Sequence, residues 1–106
     1  MTDCIYVYVS CQDIKEARKI AGYCVKERLA ACGNILPSME SVYWWDNDIQ
    51  SNEEVVLILK SKVDNFDALE KAICSLHSYK CPCICALPVE NGHKPYLDWI
   101  HSESSQ

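Results

Sequence analysis

Three features are scarce in this chain of 106 residues, and each scarcity argues against a class of function. Glycine occurs only at Gly22, Gly33 and Gly92, so there is no glycine-rich loop of the kind that cradles phosphate groups. No dense run of lysine or arginine occurs, and the formal net charge is −5, which argues against binding to nucleic acid or to an anionic membrane. The longest apolar run, residues 55–59, is far too short to cross a bilayer.

The start of the sequence bears on the expected compartment. No basic stretch precedes the first apolar residues, so the sequence predicts no signal peptide. Eight cysteines would suit a disulfide-bonded secreted scaffold, but helices and strands can be predicted around them, which favours free thiols in a cytosolic protein. Hydrophobic residues make up 49% of the chain, and we expect residues 1–106 to form a single domain.

The hydrophobic periodicity predicts the order β-α-β-β-α-β followed by a short terminal helix. The strands are expected over residues 4–10, 31–45, 49–60 and 82–89. The helices are expected to begin at the N-caps Ser10 and Asp64 and at Pro95, and the first is expected to run to about residue 29. Pro37 implies an edge strand or a bulge in the second strand. This order is typical of the α+β ferredoxin-like fold, a split β-α-β antiparallel sheet with two helices on one face, here with an extra C-terminal helix.

Three strands are apolar on both faces, which bears on assembly. Tyr6 and Tyr8 alternate with Val7 and Val9, for example, although the two helices are expected to cover only one face of the sheet. Large exposed apolar surfaces usually mark interfaces, so the pattern predicts an oligomer.

The charged residues of the first helix are interpreted as a solvated face: Lys15, Glu16, Arg18, Lys19, Lys26 and Glu27.

The strongest candidate for chemistry is a cluster of soft ligands between the second helix and the fourth strand. Cys81, Cys83 and Cys85 alternate and follow His77, while Cys11 follows the first strand, which is expected beside the fourth. Thiolates and imidazole select Cu(I) and Zn²⁺, so these five residues are the predicted metal ligands. Reduced cysteine is also a common core residue, and simple packing remains the alternative. Cys24 and Cys74 are expected inside their helices as core or boundary residues.

Several motifs resemble the CutA divalent-cation tolerance family. Residues 29–37, Leu-Ala-Ala-Cys-Gly-Asn-Ile-Leu-Pro, are similar to its Leu-Ala-Ala-Cys-Val-Asn-Ile-Ile-Pro signature, and residues 77–82 resemble its His-Pro-Tyr-Glu-x-Pro turn. Residues 41–45, 86–92 and 96–100 match its hairpin and C-terminal patterns in register.

The resemblance implies a homotrimer with hairpin strands pairing between subunits and a link to divalent metals, copper above all. It supplies no enzymatic reaction, and we expect the protein not to be an enzyme. Val9 stands where bacterial members place a candidate copper-binding cysteine, and Lys80 and Cys83 replace two acidic residues of the turn. Thiolates in place of carboxylates would shift the preference towards Cu(I). A trimeric PII-like signalling module that binds a small anionic ligand at subunit clefts is the first alternative, and a structural scaffold is the second.

Overall fold

The computed structural model describes residues 2–105, and its elements follow the predicted order. Its strands are β1 (Cys4–Cys11), β2 (Cys32–Trp45), β3 (Asp48–Lys62) and β4 (Ile84–Pro88). Its helices are α1 (Ile14–Lys26), α2 (Phe66–Leu76) and α3 (Lys94–Glu103), with a short 3₁₀ turn over Val63–Asn65. No helix in the described part of the chain has the length and apolar character needed to span a membrane.

The four strands form one antiparallel sheet in the order β2-β3-β1-β4. The central strands β1 and β3 bury one face completely, with Val7 paired to Leu59 and Val9 paired to Leu57. Buried side chains of α1 and α2 lie in the same core: Ala17, Ile20, Ala21, Cys24, Leu69 and Ile73. The predicted ferredoxin-like fold with two helices on one face is therefore confirmed.

The opposite side of the sheet, which we call the open face, is only partly covered. Tyr6 and Tyr8 of β1 and Ile58 of β3 are half-buried there, and Leu87 of β4 is exposed. Helix α3 covers one end of this face. Lys60 there donates a hydrogen bond to the Tyr96 hydroxyl at 2.9 Å, and its ammonium group lies 5.2 Å from the centre of the Tyr6 ring. Apolar side chains are thus present on both faces of the sheet.

The β2–β3 hairpin extends beyond the rest of the sheet as an arm, residues 39–54. β1 ends at Cys11, opposite Val55, so among residues 2–105 no third strand pairs with the arm. Its two-residue turn places Asp46 and Asn47 at φ of 58° and 63°, the left-handed conformation that a type I′ turn requires. Four large apolar side chains on the arm are exposed: Val42, Trp44, Trp45 and Ile49.

Pro37 has the role that the sequence predicts. β2 is an edge strand, and its register against β3 shifts between Leu36 and Met39, where Pro37 and Ser38 form an irregularity. Proline has no N–H to donate to a neighbouring strand, so the register shift occurs at the position where β2 lacks a hydrogen-bond donor.

Two N-cap predictions were wrong. Ser10 belongs to β1, paired with Val56, and the α1 cap is Asp13, whose carboxylate accepts a hydrogen bond from the backbone N–H of Glu16 at 2.8 Å. Asp64 lies within the 3₁₀ turn, and α2 begins after Asn65.

The ends of two elements also differ from the prediction. α1 ends at Lys26, before residue 29, and Arg28 has a φ of 61° that a helix cannot contain. β4 begins at Ile84, after Pro82, so Cys81 lies in the turn before the strand.

Candidate metal centre

His77 follows the last residue of α2 and packs its side chain against the end of β1. Its Nε2 lies 2.7 Å from the carbonyl oxygen of Ser10, and its Nδ1 lies 3.1 Å from the backbone nitrogen of Tyr79. Because a carbonyl only accepts and an amide N–H only donates, Nε2 carries the proton and Nδ1 offers its lone pair. The imidazole is therefore neutral, and its side chain is fully buried.

Glu16 reaches the same place from the first turn of α1. Its Oε1 accepts a hydrogen bond from the backbone N–H of Gln12 at 2.9 Å, and its Oε2 accepts one from the backbone N–H of Ser78 at 2.8 Å. Burial alone would raise the pKa of Glu16, but the hydrogen bonds from Gln12 and Ser78 hold it below its usual value. Glu16 is thus an ionised carboxylate that joins β1, α1 and the turn after α2.

Cys11 completes a group of three potential ligands. One ligand atom from each of Cys11, Glu16 and His77 lies within 4.8 Å of the others, and Oε1 of Glu16 is 3.7 Å from Nδ1 of His77. The Cys11 thiol is fully enclosed, and burial followed by the charges of Glu16 and other carboxylates raises its pKa to about 12. We call these three residues the triad.

The structure brings together only part of the predicted ligand set. Cys11 and His77 lie in one group, while Cys81, Cys83 and Cys85 lie outside it. Glu16, which the sequence analysis assigned to a solvated face, is the third member. Its position three residues after the Asp13 cap was the available signal, since a glutamate there commonly turns back to accept hydrogen bonds near the helix start.

A cavity of about 360 Å³ lies between the arm and the turn after α2. The residues that line it are Ser10, Tyr43, Trp45, Asn52, Glu54, Tyr79, Lys80, Cys81 and Cys83. The Tyr79 hydroxyl donates a hydrogen bond to Glu54 at 2.7 Å, and burial together with this carboxylate raises the pKa of Tyr79. The sequence analysis did not single out Glu54, because only the folded arm places it near Tyr79.

The three cysteines after His77 differ in position. Ile84 pairs with Val9 and packs against the core, so its neighbours Cys83 and Cys85 belong to the open face. Cys83 is half-buried, whereas Cys81 and Cys85 are exposed. Cys81 and Cys83 both precede β4, so the prediction that all three cysteines share one strand face was wrong.

The cysteines elsewhere divide in a similar way. Cys24 is fully buried on α1, as predicted. Cys74 is exposed on α2, which contradicts its assignment to the core or its boundary. No cysteine among the described residues is disulfide-bonded, and all eight lie within that range.

Comparison with known families gives a direct assignment. Residues 5–103 match the model of the CutA1 divalent ion tolerance protein family. The chain belongs to this family. The resemblance found in the motifs around residues 29–37 and 77–82 is thereby confirmed.

Individual CutA relatives are similar over nearly the whole chain. The divalent-cation tolerance protein CutA of Archaeoglobus fulgidus is 38% identical over 95 residues, which are 90% of this chain and 92% of the relative. The CutA structure from Xylella fastidiosa has a TM-score of 0.95 at 34% identity and covers 98% of this chain and 100% of its own. The CutA1 structure from Oryza sativa has a TM-score of 0.91 at 38% identity. The match covers 97% of this chain and 94% of the rice chain.

Some curated relatives are much longer than this chain. The rice protein CutA 1, described as chloroplastic, is 37% identical over 96% of this chain, but the match spans 58% of the rice protein. The shared part is thus the CutA1 domain.

Proposed function

We propose that this chain binds a divalent transition-metal ion at the triad of Cys11, Glu16 and His77, and that it serves divalent-cation tolerance as its family name suggests. The observation that carries the proposal is the convergence of one sulfur, one oxygen and one nitrogen donor within 4.8 Å. Zn²⁺ and copper ions accept such mixed donors. We further propose that the protein is cytosolic and that copper is among its physiological ions.

The triad fits a metal ion after two local changes. The Cys11 thiol, with a pKa of about 12, must release its proton to solvent as its sulfur bonds to the arriving cation. The Nδ1 of His77 must exchange the Tyr79 N–H for the metal, while the bond from Nε2 to Ser10 continues to orient the ring. Glu16 is already ionised and faces Nδ1, so it offers the first contact for a cation.

We also propose that the triad binds rather than catalyses. A cysteine beside a histidine and a carboxylate resembles a nucleophilic triad, and such a nucleophile needs an accessible, low-pKa thiol. Cys11 is fully enclosed, and its pKa is raised to about 12, which opposes thiolate formation in the absence of a metal. His77 moreover donates its only proton to a backbone carbonyl.

The proposed assembly is a homotrimer. The half-buried tyrosines of the open face and the exposed apolar side chains of the arm support it, because a monomer would leave both surfaces in water. Trp44, 71% exposed, and Val42, 68% exposed, lie on a strand pair that has no further partner within this chain's described residues. An arm of this shape is suited to pairing with another subunit.

Zn²⁺ titration followed by calorimetry tests the triad, since Zn²⁺ does not oxidise thiols. Loss of a group that only hydrogen-bonds to a metal ligand typically lowers metal affinity roughly 10–100-fold. His77→Gln and Glu16→Gln each remove a proposed ligand, so each is expected to lower the Zn²⁺ affinity by at least that factor. The matched control is His101→Gln, which removes an exposed histidine paired with Asp3 at 2.8 Å, and it is expected to bind as the wild type does.

The proposal fails if His77→Gln binds Zn²⁺ like the wild type, or if His101→Gln weakens binding as much. Thermal unfolding of each variant, compared with the wild type, shows that any loss of binding reflects the site and not the fold.

A further inference from the structure

The loop between β4 and α3 contains an asparagine followed directly by a glycine, Asn91-Gly92. Asparagine is a chemically labile residue, because the backbone nitrogen of the next residue can attack its side-chain amide carbon. A glycine in that next position has no side chain to obstruct the attack, and its backbone turns easily. The other asparagines of the chain all precede larger residues: Ile35, Asp48, Glu53 and Phe66.

The fold leaves both reacting groups of this pair accessible. Asn91 and Gly92 are exposed. Among residues 2–105, no hydrogen bond between protein groups uses the Asn91 side-chain amide or the Gly92 N–H. The attacking nitrogen and the amide that it attacks are therefore not held by other partners. Neither residue belongs to the open face or to the arm, the two surfaces that we propose are buried between subunits.

Packing against α3 favours glycine at position 92. A Cβ atom there would lie 3.0, 3.1 and 3.2 Å from three atoms of the Leu97 side chain, closer than an ordinary van der Waals contact. Leu97 lies in the first turn of α3, so a larger residue at position 92 would have to displace it. The close approach of the loop to α3 thus selects the residue that makes Asn91 reactive.

The connection between β4 and α3 is fixed at both ends. The Val89 carbonyl oxygen accepts hydrogen bonds from the Thr2 N–H at 3.3 Å and from the Thr2 hydroxyl at 2.6 Å. At the other end, the His93 carbonyl oxygen accepts the Leu97 N–H at 3.1 Å, where α3 begins. The three residues between Val89 and His93 join two anchored points, so a change in their backbone length acts on α3.

We infer that Asn91 is a site of spontaneous deamidation, and that its isoaspartate product weakens the packing of α3. The Gly92 nitrogen bonds to the side-chain carbonyl carbon of Asn91. The former amide nitrogen leaves as ammonia with the proton of the Gly92 N–H, and a cyclic succinimide remains. Water then opens the ring at the side-chain carbonyl to give aspartate, or at the main-chain carbonyl to give isoaspartate. One water is consumed and one ammonia is released, without an oxidant or a reductant.

The isoaspartate form has one more carbon atom in its main chain than asparagine. That atom must be accommodated between Val89 and His93, where Gly92 already packs closely against Leu97. We expect the strain to be relieved by movement of the first turn of α3, because the strand end is held by Thr2. The inference uses no atom of the triad and does not depend on the proposed cation binding.

Both products also add a negative charge to an acidic neighbourhood. Asn91 lines a cavity of about 440 Å³ together with three carboxylates: Asp3, Glu90 and Asp98. Two basic side chains of this cavity already have partners, since Lys94 pairs with Asp98 at 2.9 Å and His101 with Asp3 at 2.8 Å. The new carboxylate is therefore repelled by its neighbours, which adds to the effect of the longer main chain.

The test follows each asparagine by peptide mass spectrometry while the wild type, in its native assembly, is incubated at mildly alkaline pH. The Asn91 peptide is expected to gain the mass difference between a hydroxyl and an amino group. Digestion with a protease that cleaves before aspartate but not before isoaspartate separates the two products. Amide hydrogen exchange over residues 94–103 is expected to be faster in the isoaspartate fraction than in fresh protein.

Two controls accompany this measurement. Asn47 is exposed in the turn of the arm but precedes Asp48, and its peptide is expected to keep its mass. Asn91→Gln retains a side-chain amide but would have to close a six-membered ring, so this variant is expected to keep its mass at position 91. After the same incubation, its α3 amides are expected to exchange as they did at the start.

Three outcomes overturn the inference. One is an Asn91 peptide that keeps its mass in the native protein while a urea-unfolded sample converts, since the fold would then protect the site. Another is conversion of Asn47 as fast as that of Asn91. The third is an isoaspartate fraction whose α3 amides exchange no faster than those of fresh protein.

Discussion

Cys11 and Cys85 lie on neighbouring strands of one sheet, but their surroundings differ completely. Cys11 points into the layer covered by α1 and α2, where it is fully enclosed and its pKa is raised to about 12. Cys85 lies on the open face and is exposed. The two faces thus give these two cysteines different surroundings: Cys11 is enclosed under the helices, and Cys85 is exposed in the single chain.

The largest expected effect is a difference in reactivity between the thiol enclosed under the helices and an exposed thiol on the surface of α2. A rise in the pKa of Cys11 from 9.0 to about 12 lowers its thiolate fraction near neutral pH roughly a thousandfold, and enclosure slows the reagent further. Pulsed iodoacetamide labelling read by peptide mass spectrometry should modify the exposed Cys74 early and Cys11 only after unfolding. Comparable native rates at both cysteines would contradict the enclosure of Cys11.

Adjacent residues of β3 offer a second contrast between the faces. Leu57 is fully buried under the helices, and Leu57→Ala is expected to lower the free energy of unfolding by about 2–5 kcal/mol. Ile58 is half-buried on the open face, which we propose is buried between subunits. Ile58→Ala is therefore expected to dissociate on dilution in sedimentation equilibrium at concentrations where the wild type has three times the chain mass.

The same measurements can contradict the proposed assembly. A wild type that sediments as a monomer at micromolar concentration would rule out the trimer. If the Ile58→Ala protein assembles as tightly as the wild type, the open face is not the main subunit contact.

The smallest expected effect concerns acid stability at the helix-covered end of β1. The pKa of Glu16 is lowered in the folded chain from its ordinary 4.5, so its stabilising contribution is present above pH 4.5 and is lost as the pH falls through the folded value. In metal-free protein, Glu16→Gln should be less stable than the wild type at pH 7 by about 1 kcal/mol, and this gap should close on acidification.

Chemical denaturation at several pH values measures this gap. Glu70→Gln, on the exposed surface of α2, is the matched control and should show no comparable pH-dependent difference. A Glu16→Gln deficit that persists unchanged at pH 3 would show that its hydrogen bonds do not depend on ionisation.

Local sequence pattern was a good guide to the elements and a poor guide to their ends. Alternation in β1 and the helical spacing of apolar residues, such as Ile20 in α1 and Leu69 in α2, specified strands and helices because these periods follow from backbone geometry. The predicted ends of the elements were wrong where pairing with a distant strand outweighed the local sequence preference. Ser10 suits an N-cap, but its backbone pairs with Val56 of β3, and the cap moved to Asp13.

By itself, the sequence determined the element order, the edge position implied by Pro37 and the family, because each depends on residues close together in the chain. Only the tertiary structure decided that Glu16 lies beside His77 and Cys11, since residues more than sixty positions apart meet through the packing of α1 and α2 on one face. It also decided which cysteines are accessible. The exposure of Cys74 and the enclosure of Cys11 depend on which face the helices cover, and no local pattern encodes that.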